Sequence, residues 1–247
     1  MSSFDSFDRP PNAGMGEDPS GPAAALDAAR AGDFRLEIGE VAAEAWSLLT
    51  GSKRVILVGV LLTLMISAVA NGVSTSLEES ESGSAMLLSF GVALAGGFVS
   101  YVINAGLILF AIKRAAGDPS ASFDDLFACF PIFWKIVGLN VLQAVLILVG
   151  LFLFVLPGIY LMVAYLMALP LVAERGLGIW EALETSRQAL THCWFRMLGM
   201  SLLLGLVVAV GGVLTAGIAL IWLLPFMGLC FGVAYREIFG YSGSGPR

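Results

Sequence analysis

The sequence predicts an all-α membrane protein, a polytopic bundle in which six helices cross the bilayer as three hairpins. Its composition is the first indication, because 58% of the residues are hydrophobic and only 13% are charged, whereas soluble domains contain roughly 25% charged residues. The charges are also segregated, since Asp, Glu, Lys and Arg are absent from 55–77, 82–112, 136–173 and 197–235. About 20 apolar residues cross the hydrocarbon core, so each stretch can hold at least one span.

The apolar stretch 136–173 is predicted to hold two spans. A straight helix of its 38 residues would be about 57 Å long, whereas the hydrocarbon core is roughly 30 Å thick. Pro157 and Gly158 are the strongest helix breakers inside it and predict a hairpin turn between a third and a fourth span. Pro170, close to the end of the fourth span, is a candidate kink.

The last apolar stretch, 197–235, needs a second internal turn for the same reason. We place this turn at 215–217, with Gly211-Gly212 as the alternative. Gly228 and Gly232 form a small-residue pair at a spacing that lets helices approach closely. Such a pair serves packing within the bundle or, alternatively, contact between two copies of the chain.

Polar segments surround these spans. Residues 35–52 and 174–196 carry apolar side chains at helical spacing, which predicts amphipathic helices at the membrane surface. Residues 1–34 are rich in Pro, Gly, Ala and Asp and are predicted to be a disordered acidic cytoplasmic leader. The membrane domain is therefore expected at 35–240, followed by a polar cytoplasmic tail at 241–247.

Basic residues fall on one side of this six-span arrangement. The loops on the other side, including the acidic loop 78–84, contain no Lys or Arg. Because basic residues stay on the cytoplasmic side, the distribution predicts a multi-pass bacterial inner (cytoplasmic) membrane protein with both termini in the cytoplasm. The basic residues that support this orientation are Lys53, Arg54, Lys113, Arg114, Lys135, Arg175, Arg187, Arg196 and Arg236.

Some of these cations lie near tryptophans in the amphipathic segments, where both groups suit the headgroup layer. They are candidate contacts for lipid headgroups: Lys53, Arg54, Lys135 and Arg196. The expected partners are therefore membrane lipids, including anionic ones, together with a second copy of the chain or another membrane protein. No basic face typical of nucleic-acid binding is present in the sequence.

The polar side chains inside the spans are candidates for a polar cavity, since amides should face protein or water rather than lipid. The residues proposed for this cavity are Asn104, Asn140, Gln143 and Tyr165. Ordinary hydrogen bonding between helices is the alternative use. Glu174, at the end of the fourth span, and Arg187 are a candidate ion pair that would brace the 179–194 helix against the bundle.

The sequence does not predict a catalytic, metal or cofactor site. Its single histidine is His192, and Cys129, Cys193 and Cys230 are too widely separated to suggest a disulfide framework or a metal site. Common nucleophile, phosphate-binding and dinucleotide-binding motifs are also missing from the sequence. We therefore expect no enzyme activity.

Three consecutive segments resemble a known pattern: VLPGIYL at 155–161, ALPLVAE at 168–174 and GIWEALETSRQAL at 178–190. They are similar to bacterial six-span inner-membrane proteins of uncharacterised function. They are also similar to the membrane domain attached to some glycerophosphoryl diester phosphodiesterases. The resemblance implies a fold and an inner-membrane location. It implies no hydrolase activity, because too few residues lie outside the membrane domain to form a phosphodiesterase domain.

These observations favour a non-enzymatic inner-membrane protein that interacts with lipids or other membrane proteins in envelope maintenance. The alternative function is a facilitator or transporter of a small or amphipathic molecule. Ionisable residues are absent from the middle of the predicted spans, which argues against an ion-coupled transporter. A membrane enzyme acting on lipids is the third hypothesis, and it lacks a nucleophile–base pair or metal site.

Overall fold

The computed structural model describes residues 21–78, 83–243 and 245–246, and every regular element in these ranges is helical. Six segments are long and apolar enough to cross a membrane, which confirms the predicted all-α polytopic bundle. The helices are α1 (Pro22–Ala31), α2 (Ile38–Glu78), α3 (Gly83–Ala115), α4 (Phe133–Leu153), α5 (Val155–Ala164), α6 (Ala168–Arg175), α7 (Ile179–His192), α8 (Trp194–Leu214) and α9 (Leu220–Phe239). Single 3-10 turns at Phe123–Leu126 and Phe130–Ile132 connect α3 to α4.

The best-packed part of the bundle lies at the end that carries Lys113, Arg175 and Arg236, which we call the charged end. Its helices bury large side chains completely, among them Ile112 and Leu171. The opposite ends of the helices expose apolar side chains instead, for example Leu87, Phe152 and Leu214. Exposed hydrocarbon of this kind suits contact with lipid rather than water.

Helices α2, α3 and α9 pack closely through small residues. A Cβ at Gly232 would lie 2.7 Å from the backbone of Ala111, so glycine is required where α9 crosses α3. Arg236 of α9 binds both neighbouring helices, since its guanidinium donates to the two oxygens of Glu44 on α2 at 2.5 and 2.7 Å and to the carbonyl of Ala115 on α3 at 2.5 Å. Gly232 therefore packs within the bundle, whereas Gly228 has no atom within 4 Å of its would-be Cβ.

The predicted amphipathic helix at 35–52 forms the first part of α2. The helix breaks at Thr50 and Gly51, where Gly51 adopts a φ of +94° that favours glycine. Arg114 at the end of α3 supports the break, because its Nε donates to Ser52 Oγ at 3.0 Å. The surface helix and the first span are thus joined by a fixed bend.

The turn between the third and fourth spans is at Phe154 and not at Pro157 and Gly158, so the predicted position was wrong by three residues. Phe154 is extended (φ −157°, ψ 140°) between α4 and α5. Pro157 lies in the first turn of α5, where a backbone N–H has no partner within the helix and its loss costs nothing. Gly158 lets the two helices approach, since a Cβ there would lie 2.3 Å from Leu151 Cγ.

The turn between the last two spans is at the predicted residues 215–217. Ala216 and Gly217 take φ values of +48° and +89°, which reverse the chain between α8 and α9. The alternative position, Gly211-Gly212, lies inside α8. There it packs against Leu223 and Leu220 of α9.

Residues 22–31 form α1, which corrects the prediction that the whole leader is disordered. Proline at its first position and Gly32 at its end, with φ +79°, are ordinary helix boundaries. Docking on α7 stabilises α1 further, because Ala29 is fully buried and Arg30 donates to Thr185 of α7 at 2.8 Å. Residues 1–20 of the predicted leader and 79–82 of the acidic loop lie outside the described residues.

Candidate functional site

The fourth span is interrupted between α5 and α6, at Tyr165–Met167. The side chain of Ser186 on α7 hydrogen-bonds two backbone groups at this interruption. Its hydroxyl donates to the carbonyl of Ala164 at 2.7 Å and accepts from the N–H of Met167 at 3.2 Å. The serine is fully buried, so water is not available to replace these bonds. Pro170, the predicted kink, lies in the first turn of α6, beyond the break.

A cavity of 380 Å³ lies beside the interrupted span, and we call it the groove. Four elements form its walls: α2, α3, α9 and the break with the start of α6. Its apolar lining includes Ile56, Leu107, Met167, Pro170, Met227 and Phe231. Asn104 supplies the single polar side chain among the described residues that line it.

The groove is closed toward the charged end and open at Asn104. Ile56, Ala111 and Pro170 are buried, whereas Asn104 is exposed. Asn104 precedes Ala115, the last residue of α3, by 11 residues, which is about 16 Å along a helix and close to the middle of a bilayer. Its amide makes no hydrogen bond to any other residue that the structure describes. A polar group in this position needs a partner, because hydrocarbon offers none.

The other residues proposed for a polar cavity do not line the groove. Asn140 and Gln143 lie on α4, which contributes nothing to its walls. Asn140 lies near Tyr101, and the Oε1 of Gln143 is buried without a hydrogen-bond partner. Tyr165 is buried at the break. The four residues therefore do not share the groove, because Asn104 alone of the four is among its lining residues.

Glu174 and Arg187 do not form the predicted pair. Arg187 binds Glu184 on its own helix at 2.6 and 2.9 Å and lies near Tyr160 of α5. Glu174 is fully buried and accepts from the hydroxyl of Tyr235 at 2.9 Å and from Ser242 at 2.8 and 2.6 Å. The prediction failed because each residue has other partners: Arg187 binds Glu184 on its own helix, and Glu174 is bound by Tyr235 of α9 and by Ser242.

Arg175, the neighbour of Glu174, joins α6 to α1 and α9 and, among the described residues, does not brace α7. Its guanidinium donates to the carbonyl of Pro22 at 2.6 Å and to the carbonyl of Phe239. Its Nε is 3.4 Å from Glu174, close enough for an ionic contact but without hydrogen-bond geometry. Glu174 and Arg175 together join α1, α6, α9 and the C-terminal segment at the charged end.

The candidate lipid-headgroup contacts occupy different environments. Lys135 donates to the carbonyl of Gly176 at 2.6 Å, which uses one of its three N–H donors. The ammonium of Lys53 lies 5.6 Å from the ring centroid of Trp222, a cation–π geometry. Arg54 and Arg196 are exposed. Their contact with headgroups stays a prediction.

Sequence reasoning missed the role of Ser186, although one signal was present. The helical spacing places Ser186 on the same face of α7 as Ala182 and Leu190, both of which are buried. A hydroxyl on an apolar face requires a partner within the protein. The pattern could not identify Ala164 and Met167 as that partner, because both are about 20 residues away in the chain.

Comparison with known proteins adds no relative to this geometry. None of the protein-family models matches the chain, and it matches no curated protein and no solved structure. The resemblance described from the sequence therefore remains a prediction.

Proposed function

We propose that this protein is a non-enzymatic integral protein of the bacterial inner membrane that binds a membrane lipid in the groove. The groove carries the proposal, because it combines hydrocarbon walls with one unpartnered amide, Asn104, at its open end. Its 380 Å³ falls within the roughly 300–1,000 Å³ of ligand sites. An acyl chain matches the walls, and an ester oxygen at the open end would accept a hydrogen bond from Asn104.

The walls of the groove support binding rather than chemistry. Its described lining comprises one amide, Asn104, among apolar side chains that include two methionine thioethers, whereas lipid hydrolysis needs a nucleophile with a base, or a metal. The favourable free energy of lipid binding would come from burying apolar surface and from giving the Asn104 amide a hydrogen-bond partner at a depth where water is scarce. Envelope maintenance, the role expected from the sequence, is consistent with such binding.

The proposed orientation places the charged end in the cytoplasm. Lys113, Arg175 and Arg236 all lie at this end. Basic residues are retained on the cytoplasmic side during insertion. Both described termini of the chain pack there as well, since Arg175 binds Pro22 and Glu174 binds Ser242.

A facilitator is the second candidate, and the interrupted fourth span favours it. Discontinuous helices line the substrate sites of many transporters, where the break can change shape. Here Leu166 and Met167 of the break form part of the groove wall. Movement of α7 would withdraw Ser186 and alter that wall.

Native mass spectrometry of the detergent-purified chain tests lipid binding. Gly228 lines the groove and has open space around it, so Gly228→Leu fills the groove without a backbone clash. Gly91→Leu is the matched control, because Gly91 also has open space but is exposed on α3 away from the groove. We expect wild type and Gly91→Leu to retain phospholipid, and Gly228→Leu to retain about tenfold less, which corresponds to about 1.4 kcal/mol.

Equal retention by all three chains would contradict the proposal. Asn104→Leu adds an independent test, since it keeps the cavity but removes the amide, and it should weaken retention as well. For the facilitator, flux of an amphipathic solute into proteoliposomes should fall in Gly228→Leu and not in Gly91→Leu. Retention of phospholipid without solute flux would favour lipid binding over the facilitator.

A further inference from the structure

The connection between α3 and α4 presents three phenylalanine rings side by side. Phe123, Phe127 and Phe130 are 43%, 43% and 38% exposed. Successive ring centroids are 5.8 and 6.0 Å apart. We call these residues the phenylalanine ladder. A contiguous apolar surface of this kind marks contact with an apolar phase or a partner.

The backbone that carries the ladder is fixed by buried neighbours and by a capped 3-10 turn, which together we call its base. Leu126 and Cys129, which alternate with the three rings, are fully buried. The first 3-10 turn is closed by a capping box, in which Ser122 N–H donates to Asp125 at 2.9 Å. The base therefore holds the rings outward and does not let them fold into the core.

The connection folds back along α3, toward the middle of the span. A Cβ at Gly106 would lie 2.4 Å from the carbonyl oxygen of Leu126, so the connection crosses α3 at this glycine. Gly106 precedes Lys113 by seven residues, which is about 10 Å along the helix. With Lys113 and Arg114 at the headgroup layer, the base of the ladder lies below that layer, among the acyl chains.

Two adjacent carboxylates lie in the first 3-10 turn: the inner one, Asp125, is neutralised, whereas Asp124 is exposed beside Phe123 and is expected to face the headgroup layer. Asp125 is buried, and the ammonium of Lys113 binds its carboxylate at 2.5 Å. An isolated carboxylate at this depth would be costly, but a paired one is tolerated.

We infer that the connection between α3 and α4 dips into the bilayer and that the phenylalanine ladder contacts lipid acyl chains. The two ends of the connection belong to membrane spans, so the ladder continues the lipid-facing surface of the bundle. Because the connection crosses α3 at the depth of Gly106, the ladder is expected to contact acyl chains rather than solvent. The inference is independent of the groove and of what the groove binds.

Spin labelling in phospholipid vesicles tests the depth of the ladder. A nitroxide is attached to Phe127→Cys and, as the matched control on the same connection, to the exposed Ser120→Cys. Wild type serves as the labelling blank, because Cys129, Cys193 and Cys230 are buried. We expect the label at 127 to collide severalfold more with oxygen, relative to a water-soluble nickel chelate, than the label at 120.

Two outcomes would overturn the inference. Equal chelate access at both positions would place the ladder in water. Protection of position 127 from both oxygen and chelate would show that protein, from a second copy or a partner, covers it. Phe123→Cys and Phe130→Cys repeat the measurement at independent positions, so a labelling defect at 127 does not leave the question open.

Discussion

The hydroxyl of Ser186 on α7 donates to the carbonyl of Ala164 on α5 at 2.7 Å, across a break in the fourth span. The preceding residue, Thr185, accepts a hydrogen bond from Arg30 of α1 at 2.8 Å. One turn of α7 therefore connects α1 to the wall of the groove. The groove is shaped by contacts at the charged end as well as by the spans themselves.

Ser186→Ala should destabilise the protein by about 1–3 kcal/mol, because the carbonyl of Ala164 and the N–H of Met167 would be left buried with one partner fewer. Thermal unfolding in mild detergent, followed by helicity, measures this loss. Ser47→Ala is the control, since the hydroxyl of Ser47 binds only the carbonyl of Glu44 at an exposed position. Equal thermal midpoints for the two variants would show that Ser186 does not support the break.

Glu174→Gln should destabilise the charged end by about 3 kcal/mol, because it leaves the buried guanidinium of Arg175 without its carboxylate. Hydrogen exchange at 241–243 should accelerate, since Ser242 loses a charged acceptor. Glu181→Gln provides the comparison: Glu181 is half-exposed and 3.9 Å from Arg30, so its loss should cost below about 1 kcal/mol. Unchanged exchange in Glu174→Gln would refute this role.

The contact between Tyr241 and Asp118 should depend on pH. Hydrogen bonds from the Tyr241 hydroxyl and from Ser120 hold the pKa of Asp118 below its usual value, and burial raises the pKa of Tyr241. A lowered carboxyl pKa contributes stability above the ordinary value of about 3.9, which is lost as the pH falls through the lowered value. A raised phenol pKa contributes stability that is lost as the pH rises beyond about 10.

The difference in thermal midpoint between wild type and Tyr241→Phe measures this contribution directly. We expect a difference that is constant from pH 5 to pH 8, as both groups keep their charge states there, and that shrinks below about pH 4. A difference that persists unchanged at pH 3 would show that the contact does not involve the charged carboxylate.

Reporter fusions test the proposed orientation. A reporter that is active only outside the cytoplasm should be active when it is fused at residue 216, in the turn between α8 and α9. The same reporter should be inactive when it is fused after residue 239, where α9 ends. The reverse result, or the same side for both positions, would contradict the assignment of the charged end to the cytoplasm.

The sequence predicted the number of spans because hydrocarbon length and charge segregation constrain it strongly. It also predicted the 215–217 turn, where Gly217 adopts positive φ. The turn at Phe154 was missed because Pro157 is an equally strong signal for the first turn of a helix. The break at Tyr165–Met167 contains neither Gly nor Pro, but Pro170, the predicted kink, has no N–H to donate to the carbonyl of Leu166 inside it. The bonds from Ser186, which is distant in sequence, could not be predicted.

The groove was only partly predictable for a related reason. Hydropathy identifies Asn104, Asn140 and Gln143 as polar groups inside spans, but it does not show which helices meet. The structure places Asn104 on a groove wall and the other two on α4. Helix α1 was missed because its alanines form a helix through docking on α7, which the local sequence does not reveal.

Cryo-electron microscopy of the chain in phospholipid nanodiscs tests the central claim most directly. We expect elongated density between α2, α3 and α9, with a polar group within hydrogen-bond distance of the Asn104 amide, and no such density in Gly228→Leu. A wild-type groove that is empty of lipid, or closed by its own side chains around Asn104, would contradict the proposal.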